Sequence, residues 1–337
     1  MNNIIILLDT GIDTKAFKNC LVGGKHFFVE GHSIYCDDNF DDDNGHGSAC
    51  AYTIKSIFPT VKFYAIKILD KNAETIYPIL ETALEYCLDL EYRLINLSLA
   101  MIDNRVNGKF SKLCDKLKDK GKVLLSSVHN GHSESYPASY QSVIGIRGSR
   151  LITPEHYWYN SNKSIQCVAD ITPCFTDRSL EKYFLFGGNS KACALVCGLL
   201  MKATENNDST VDFYSASSVL EKNAQRKLWT EKDINTSTAM LMEDDNFIYD
   251  DTVLNRIRQI LCEIMNFNDI NNLGWHDNLF ENGLQPTMIK QLILTLEKHF
   301  GIDIPNSYIN YNFLCSICMI SKIIEGGKNE KKSKANI

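Results

Sequence analysis

Three short stretches hold side chains able to do nucleophilic chemistry together. Asp9 follows the apolar run Ile4–Leu8 directly. A carboxylate there lies at the C-terminal end of an expected strand, the edge at which open α/β sheets build sites. His46 stands between Gly45 and Gly47 and opens an amphipathic run, so little steric cover keeps its ring from a cleft. Ser190 follows Gly187-Gly188-Asn189 and opens a second helical run. Free amide groups at such a start favour a developing negative charge. Each residue alone has a plainer reading: Asp9 as a turn residue before Gly11, His46 as a helix-entry residue, Ser190 as an N-cap. Taken in order, they supply the acid, base and nucleophile of acyl transfer.

Such residues must be brought together by the elements between them. Ile4–Leu8, Val61–Leu69, Leu94–Leu99, Lys122–Val128, Val143–Ile146 and Ile165–Ala169 read as strands. Their near-continuous apolar character is that of a parallel sheet covered on both faces. Between them, His46–Ile57, Ala73–Leu90, Ser111–Lys120 and Ser190–Ala203 read as helices. The alternation predicts an α/β doubly wound parallel sheet. Ser215–Leu228 is expected to close this first domain, 1–228, after the polar stretch 204–210. Residues 229–250 are read as a linker. Beyond it, apolar residues at helical spacing (Val253 to Ile264, Ile289 to Phe300, Leu314 to Ile324) predict a small helical bundle over 251–325. The basic tail 326–337 is expected to be disordered.

The composition fits this picture. Apolar residues make up 44% of the 337 and charged residues 23%, ordinary values for a soluble domain with a sizeable core. A formal net charge of −6 gives no support for nucleic-acid binding. No apolar run is long enough to cross a membrane, and the N-terminus lacks the basic start of a signal peptide. The 12 cysteines are scattered, so reduced thiols in a cytoplasmic protein are expected.

Three motifs resemble the subtilisin (subtilase) family over about residues 1–228: Ile6-Leu7-Leu8-Asp9-Thr10-Gly11-Ile12-Asp13, Asp42-Asp43-Asn44-Gly45-His46-Gly47-Ser48, and Gly188-Asn189-Ser190-Lys191-Ala192 followed by Val196-Cys197-Gly198. The order Asp, His, Ser is also that family's. The resemblance implies a subtilisin-like serine peptidase with Asp9, His46 and Ser190 as its triad. It assigns Asn130, in Ser126-Ser127-Val128-His129-Asn130-Gly131, as the side-chain donor of the oxyanion hole. It also places substrate-binding positions at Ser98, Leu99, Ala100, Ser126, Ser127, Val128, His129, Glu134 and Ser135. Glu134 would favour a basic substrate residue.

Several residues depart from the family pattern. Asn189 and Lys191 flank the serine where Thr and Met are usual, and Ala100 and His129 replace pocket glycines, which suggests narrow specificity. Only eight residues precede Asp9, so a propeptide of the usual kind is not expected. No cofactor is expected either, and a calcium site is not identifiable. The acidic run Asp37–Asp43 is read as a solvated loop, with a cation or a basic substrate residue as the alternative.

The C-terminal residues Asp277–Leu284 and Leu294–Pro305 resemble acyl or peptidyl carrier proteins. Alignment back from Phe300 sets Pro286 where carriers have the phosphopantetheine-bearing serine, with Thr287 beside it. The expectation is a docking domain for a partner and not a working carrier. Cys315 and Cys318 are read as helix core residues, not zinc ligands. The expected function is cleavage of a specific peptide or protein, for instance a biosynthetic precursor peptide. A silent peptide-binding pseudoprotease and a macrocyclase or ligase are the alternatives.

Overall fold

A computed structural model describes residues 3–102, 107–150, 156–177, 183–205, 211–237, 247–266, 273–304 and 308–335. The chain forms two compact units. One comprises 1–171 and 187–241, and the other 172–186 and 242–337.

The first unit is built on one ten-stranded sheet. Its strands are β1 (Ile4–Asp9), β2 (Leu21–Glu30), β3 (Ser33–Asp37), β4 (Lys62–Lys67), β5 (Leu94–Leu97), β6 (Val123–Ser127), β7 (Ile144–Ser149), β8 (Tyr157–Tyr159), β9 (Cys167–Asp170) and β12 (Arg226–Lys227), the label β12 following chain order. They lie in the order β12-β8-β9-β7-β6-β5-β1-β4-β2-β3. The centre is parallel, and the pairs β2–β3 and β8–β9 are antiparallel. Helices cover both faces, which is why β1 and β5 are buried along nearly their whole length. On one face, Leu80 and Leu84 of α2 (Tyr77–Cys87) and Phe110 and Leu113 of α3 (Asn107–Asp119) pack on Ile6, Leu8, Ile66 and Ile95. Elsewhere α1 (His46–Ile57) packs against α4 (Gly188–Thr204). Gly198 permits this close approach, because a Cβ there would lie 3.0 Å from the Ile57 Cβ.

The expected fold class is the observed one, with differences at the element edges. The expected helix 73–90 is shorter, because Asp70 holds the turn before it by accepting from the amides of Asn72 and Glu74, and Pro78 sits in the first turn of α2. The expected helix 215–228 is α5 (Phe213–Asn223), begun by a capping box between Asp212 and Ser215. The chain then adds β12 to the sheet edge. Trp229 is buried against Trp158 and Val168, and its indole N–H donates to the Gln166 carbonyl. The first unit therefore continues past the expected boundary at 228, through α6 (Glu231–Ser237).

The second unit differs more. It contains the expected helices, here α7 (Asp251–Met265), α8 (Ile289–Phe300) and α10 (Ile317–Ala335), with the short α9 (Tyr311–Leu314). It also takes in a hairpin, β10 (Cys174–Asp177) and β11 (Tyr183–Phe186), that the first-domain reading had included. Phe175 joins the helical core and stacks on Phe280, which stacks on Tyr311. The Phe175 amide donates to the Ile309 carbonyl, and the Tyr311 amide to that of Pro173. The tail is corrected too, since α10 runs through to Ala335. Parts of the expected polar stretch (206–210) and linker (238–246), together with Pro305 and the last two residues, lie outside the described residues.

Candidate active site

The carboxyl ends of three neighbouring strands, β6, β5 and β1, bring the candidate residues to one edge of the sheet. Asp9 is the last residue of β1, and Ser98 directly follows β5. Val128 follows β6, with Asn130 two residues on. The starts of α1 and α4 add His46 and Ser190.

Asp9 is fully buried, and its Oδ1 lies 2.7 Å from His46 Nδ1. The same oxygen accepts from the Thr10 amide at 2.8 Å, while Cys50 Sγ approaches Oδ2 at 3.6 Å. His46 keeps 26% of its side chain exposed while Asp9 anchors its ring at Nδ1. Gly47 follows because the turn has no room for a side chain: a Cβ there would sit 2.1 Å from the Gly11 carbonyl oxygen. The Gly47 amide donates to Thr10 Oγ1, which in turn donates to Asp42 Oδ1.

Asp42 also accepts from the amides of Gly45 and Ser48 and from the Ser48 hydroxyl. Burial raises the Asp42 carboxyl, but these donors outweigh it and hold the group below the usual carboxylate range. At His46 burial lowers the imidazole. Asp9, by charge and hydrogen bond, and the more distant Asp42 overcome this and leave it raised. The acidic run is thus engaged, not merely solvated. Asp43 pairs with the buried Lys67 at 2.5 Å, Asp38 with Lys25, and Asp41 accepts from Thr14. The motif reading quoted Asp42, but its role was missed.

Ser190 lies in the first turn of α4, and its hydroxyl donates to the Ser98 carbonyl at 3.2 Å. Ser98 Oγ donates to the Ser190 carbonyl at 3.4 Å and accepts from Asn96 Nδ2. Asn130 Oδ1 accepts from the Asn189 amide at 3.0 Å. Lys191 turns inward: its ammonium lies 2.5 Å from Asp170 Oδ2, and each side chain is 4% exposed. This pair joins α4 to the end of β9. Sequence reasoning singled out Lys191 and missed its partner.

Among the expected substrate-binding positions, Ser126 and Ser127 end β6 and Val128 follows it, all three are buried, and Ser126 Oγ reaches the Leu99 carbonyl. Ser135 is buried and accepts from the His129 amide at 2.9 Å. His129 is exposed, with its ring set edge-on to His132. Glu134 is exposed and accepts from Ser164 Oγ at 3.3 Å. Leu99, Ala100 and Met101 line a hollow whose other wall includes Leu69, Glu74, Thr75 and Tyr77, residues not expected from sequence.

Asp9, His46 and Cys50 present potential metal ligands within 4.8 Å of one another. The short Asp9–His46 bond already uses two of these groups. Among the described residues no helix is long and apolar enough to cross a membrane.

In the second unit, Pro286 begins a 3-10 turn, Pro286–Met288, that leads into α8. Residues 255–311 match the family model described as a phosphopantetheine attachment site. Proline offers no hydroxyl for a phosphodiester, so with Pro286 at the attachment position, as the carrier resemblance aligns it, the chain would not hold that group.

Known proteins place the first unit. Over 214 residues the chain is 26% identical to the major intracellular serine protease of Bacillus subtilis (strain 168), covering 58% of this chain and 66% of that protein. It is 29% identical over 207 residues to subtilisin DY of Bacillus licheniformis, covering 57% and 73%. A cold-adapted subtilisin-like serine proteinase superposes with a TM-score of 0.54 at 15% identity, over 66% of this chain and 83% of that one. A lanthipeptide protease does so with a TM-score of 0.53 at 17% identity, over 66% and 80%. The Subtilase family model matches residues 2–249, and with the Asp-His pair, the helix-borne serine and this fold, the chain belongs to the subtilase family of serine endopeptidases.

Proposed function

We propose that the chain cleaves a particular peptide or protein through an acyl-enzyme, with Asp9, His46, Ser190 and Asn130 as its chemical groups. The observation that carries this is the 2.7 Å bond from His46 Nδ1 to a fully buried Asp9. It fixes the tautomer that leaves Nε2 basic. His46 takes the Ser190 proton as the hydroxyl attacks the peptide carbonyl. Asp9 stabilises the imidazolium that results. The Asn130 side-chain amide and the Ser190 amide meet the oxyanion. His46 returns the proton to the leaving amine, and water then releases the acyl group.

A narrow substrate range is the finer part of the reading. It is supported by the side chains at Ala100 and His129, where the family resemblance expects glycines, and by an added helical domain. Maturation of a precursor peptide inside the cell fits these features. The twelve cysteines, all with free thiols, suit a reducing compartment. One similar protein is named an intracellular serine protease, and a structural neighbour is a lanthipeptide protease.

A fluorophosphonate probe tests the chemistry. The folded wild type should label, and Ser190→Ala should not. A folded wild type that stays unlabelled would remove the catalytic reading and leave the silent peptide binder. Product mass separates cleavage from cyclisation, which differ by one water.

A further inference from the structure

The geometry points to Asn189 as the positioning residue of the oxyanion site, an inference that rests on the peptidase reading above. Its backbone amide donates to Asn130 Oδ1 at 3.0 Å. Holding the amide oxygen leaves Nδ2, the only donor on that side chain, directed away from the bond. The Asn189 side chain performs a second task. Its Nδ2 donates to the Val128 carbonyl at 2.8 Å and reaches the His129 carbonyl at 3.5 Å. Its Oδ1 accepts from the Gly148 amide at 2.8 Å.

One residue therefore grips Asn130 twice, at the side chain and at the backbone two residues upstream, and ties both to β7. The next residue is Ser190, whose amide is the other oxyanion donor. A shift of Asn189 would move both donors together. The position needs a donor and an acceptor on one short planar group, which asparagine has. Serine or threonine offers a single oxygen in their place, and alanine neither. The crowding agrees with a fixed geometry, since a Cβ on Gly188 would lie 3.0 Å from Asn130 Oδ1.

A double-mutant cycle tests the assignment, read as steady-state turnover of peptide p-nitroanilides and as the rate of fluorophosphonate labelling. Loss of one oxyanion donor costs about 10²–10³ in kcat, which sets the ceiling for a residue acting through Asn130. Asn189→Ala should lower kcat by about 10- to 100-fold and leave KM within about 2-fold, because the interaction forms in the transition state. On top of Asn130→Ala the same change should cost clearly less than it does alone, since one of the two donors it positions is gone.

Two results would overturn the assignment: Asn189→Ala with kcat near wild type, or a loss that repeats in full in the Asn130→Ala background. Circular dichroism and Tm are recorded for each variant. If Asn189→Ala does not fold, the cycle is run with Asn189→Ser, which retains one hydrogen-bonding atom. A folded wild type that neither labels nor turns over substrate removes the peptidase reading itself, and this assignment with it.

Discussion

Two helices in this chain begin near positions that the family resemblances align with a reactive serine, and only one of them carries a serine there. At the start of α4, Ser190 touches the Ser98 carbonyl, Asn189 is bonded to Gly148, Asn130 and Val128, and Lys191 is sealed against Asp170. At the start of α8, Pro286 occupies the position, and Gln285 before it makes no side-chain cap. Thr287 of the 3-10 turn and Lys290, Gln291, Leu294, Thr295 and Lys298 of α8 line an open face. The free amides of a helix end favour negative charge in both places. What separates them is that other segments cross the first and hold Ser190, Asn189 and Lys191 in place. A helix end becomes a site only when such neighbours hold it.

The largest test of this contrast is removal of the hydroxyl that exists. Ser190→Ala should lower turnover by about 10⁶, the scale known for triad serines of subtilisin. Pro286→Ser, which adds a hydroxyl at the other helix, should leave turnover unchanged in the same assay. Asn130→Ala should cost about 10²–10³ in kcat with little change in KM.

The ion pair comes next. Asp170→Asn removes the charge that balances the buried Lys191, so equilibrium unfolding should show a loss of about 3–5 kcal/mol. Replacing both partners by apolar residues of similar size should recover most of it. A smaller effect concerns pH. The proposed mechanism uses neutral His46, whose pKa Asp9 holds above the ordinary imidazole range, so the acid limb of kcat/KM should lie above that of an unperturbed histidine. Asp42→Asn withdraws one raising charge, and the limb should move to lower pH. The least effect is expected at α8: a phosphopantetheinyl transferase should add no mass to the wild type, and an adduct at Thr287 would erase the contrast.

The candidate groups Asp9, His46 and Ser190 could be picked out in the sequence because each sits where an apolar run meets a turn or helix start. Such junctions combine a pattern and a residue type. The supports were not legible, because they depend on contacts between distant segments. Asp42 looks like one member of a solvated acidic run until Thr10 and Ser48 fold onto it. Asp170 is one more strand-end residue until α4 delivers Lys191 to it. Likewise the short strands β8 and β12 have too few residues for an alternating pattern to show. The β10–β11 hairpin was hidden because its apolar residues, Phe175 and Phe186 among them, read equally well as part of the first domain.

That hairpin alters how the protein can be taken apart. The chain passes between its units three times, at 171/172, 186/187 and 241/242. A single nick near residue 241 should yield two fragments on a denaturing gel and one band on a native gel, because β10 and β11 stay embedded in the helical core. A stop codon at the same point would strip Phe175 of Phe280 and Tyr311 and leave an apolar hairpin bare. A separable peptidase would need a second edit, a short loop in place of 172–186.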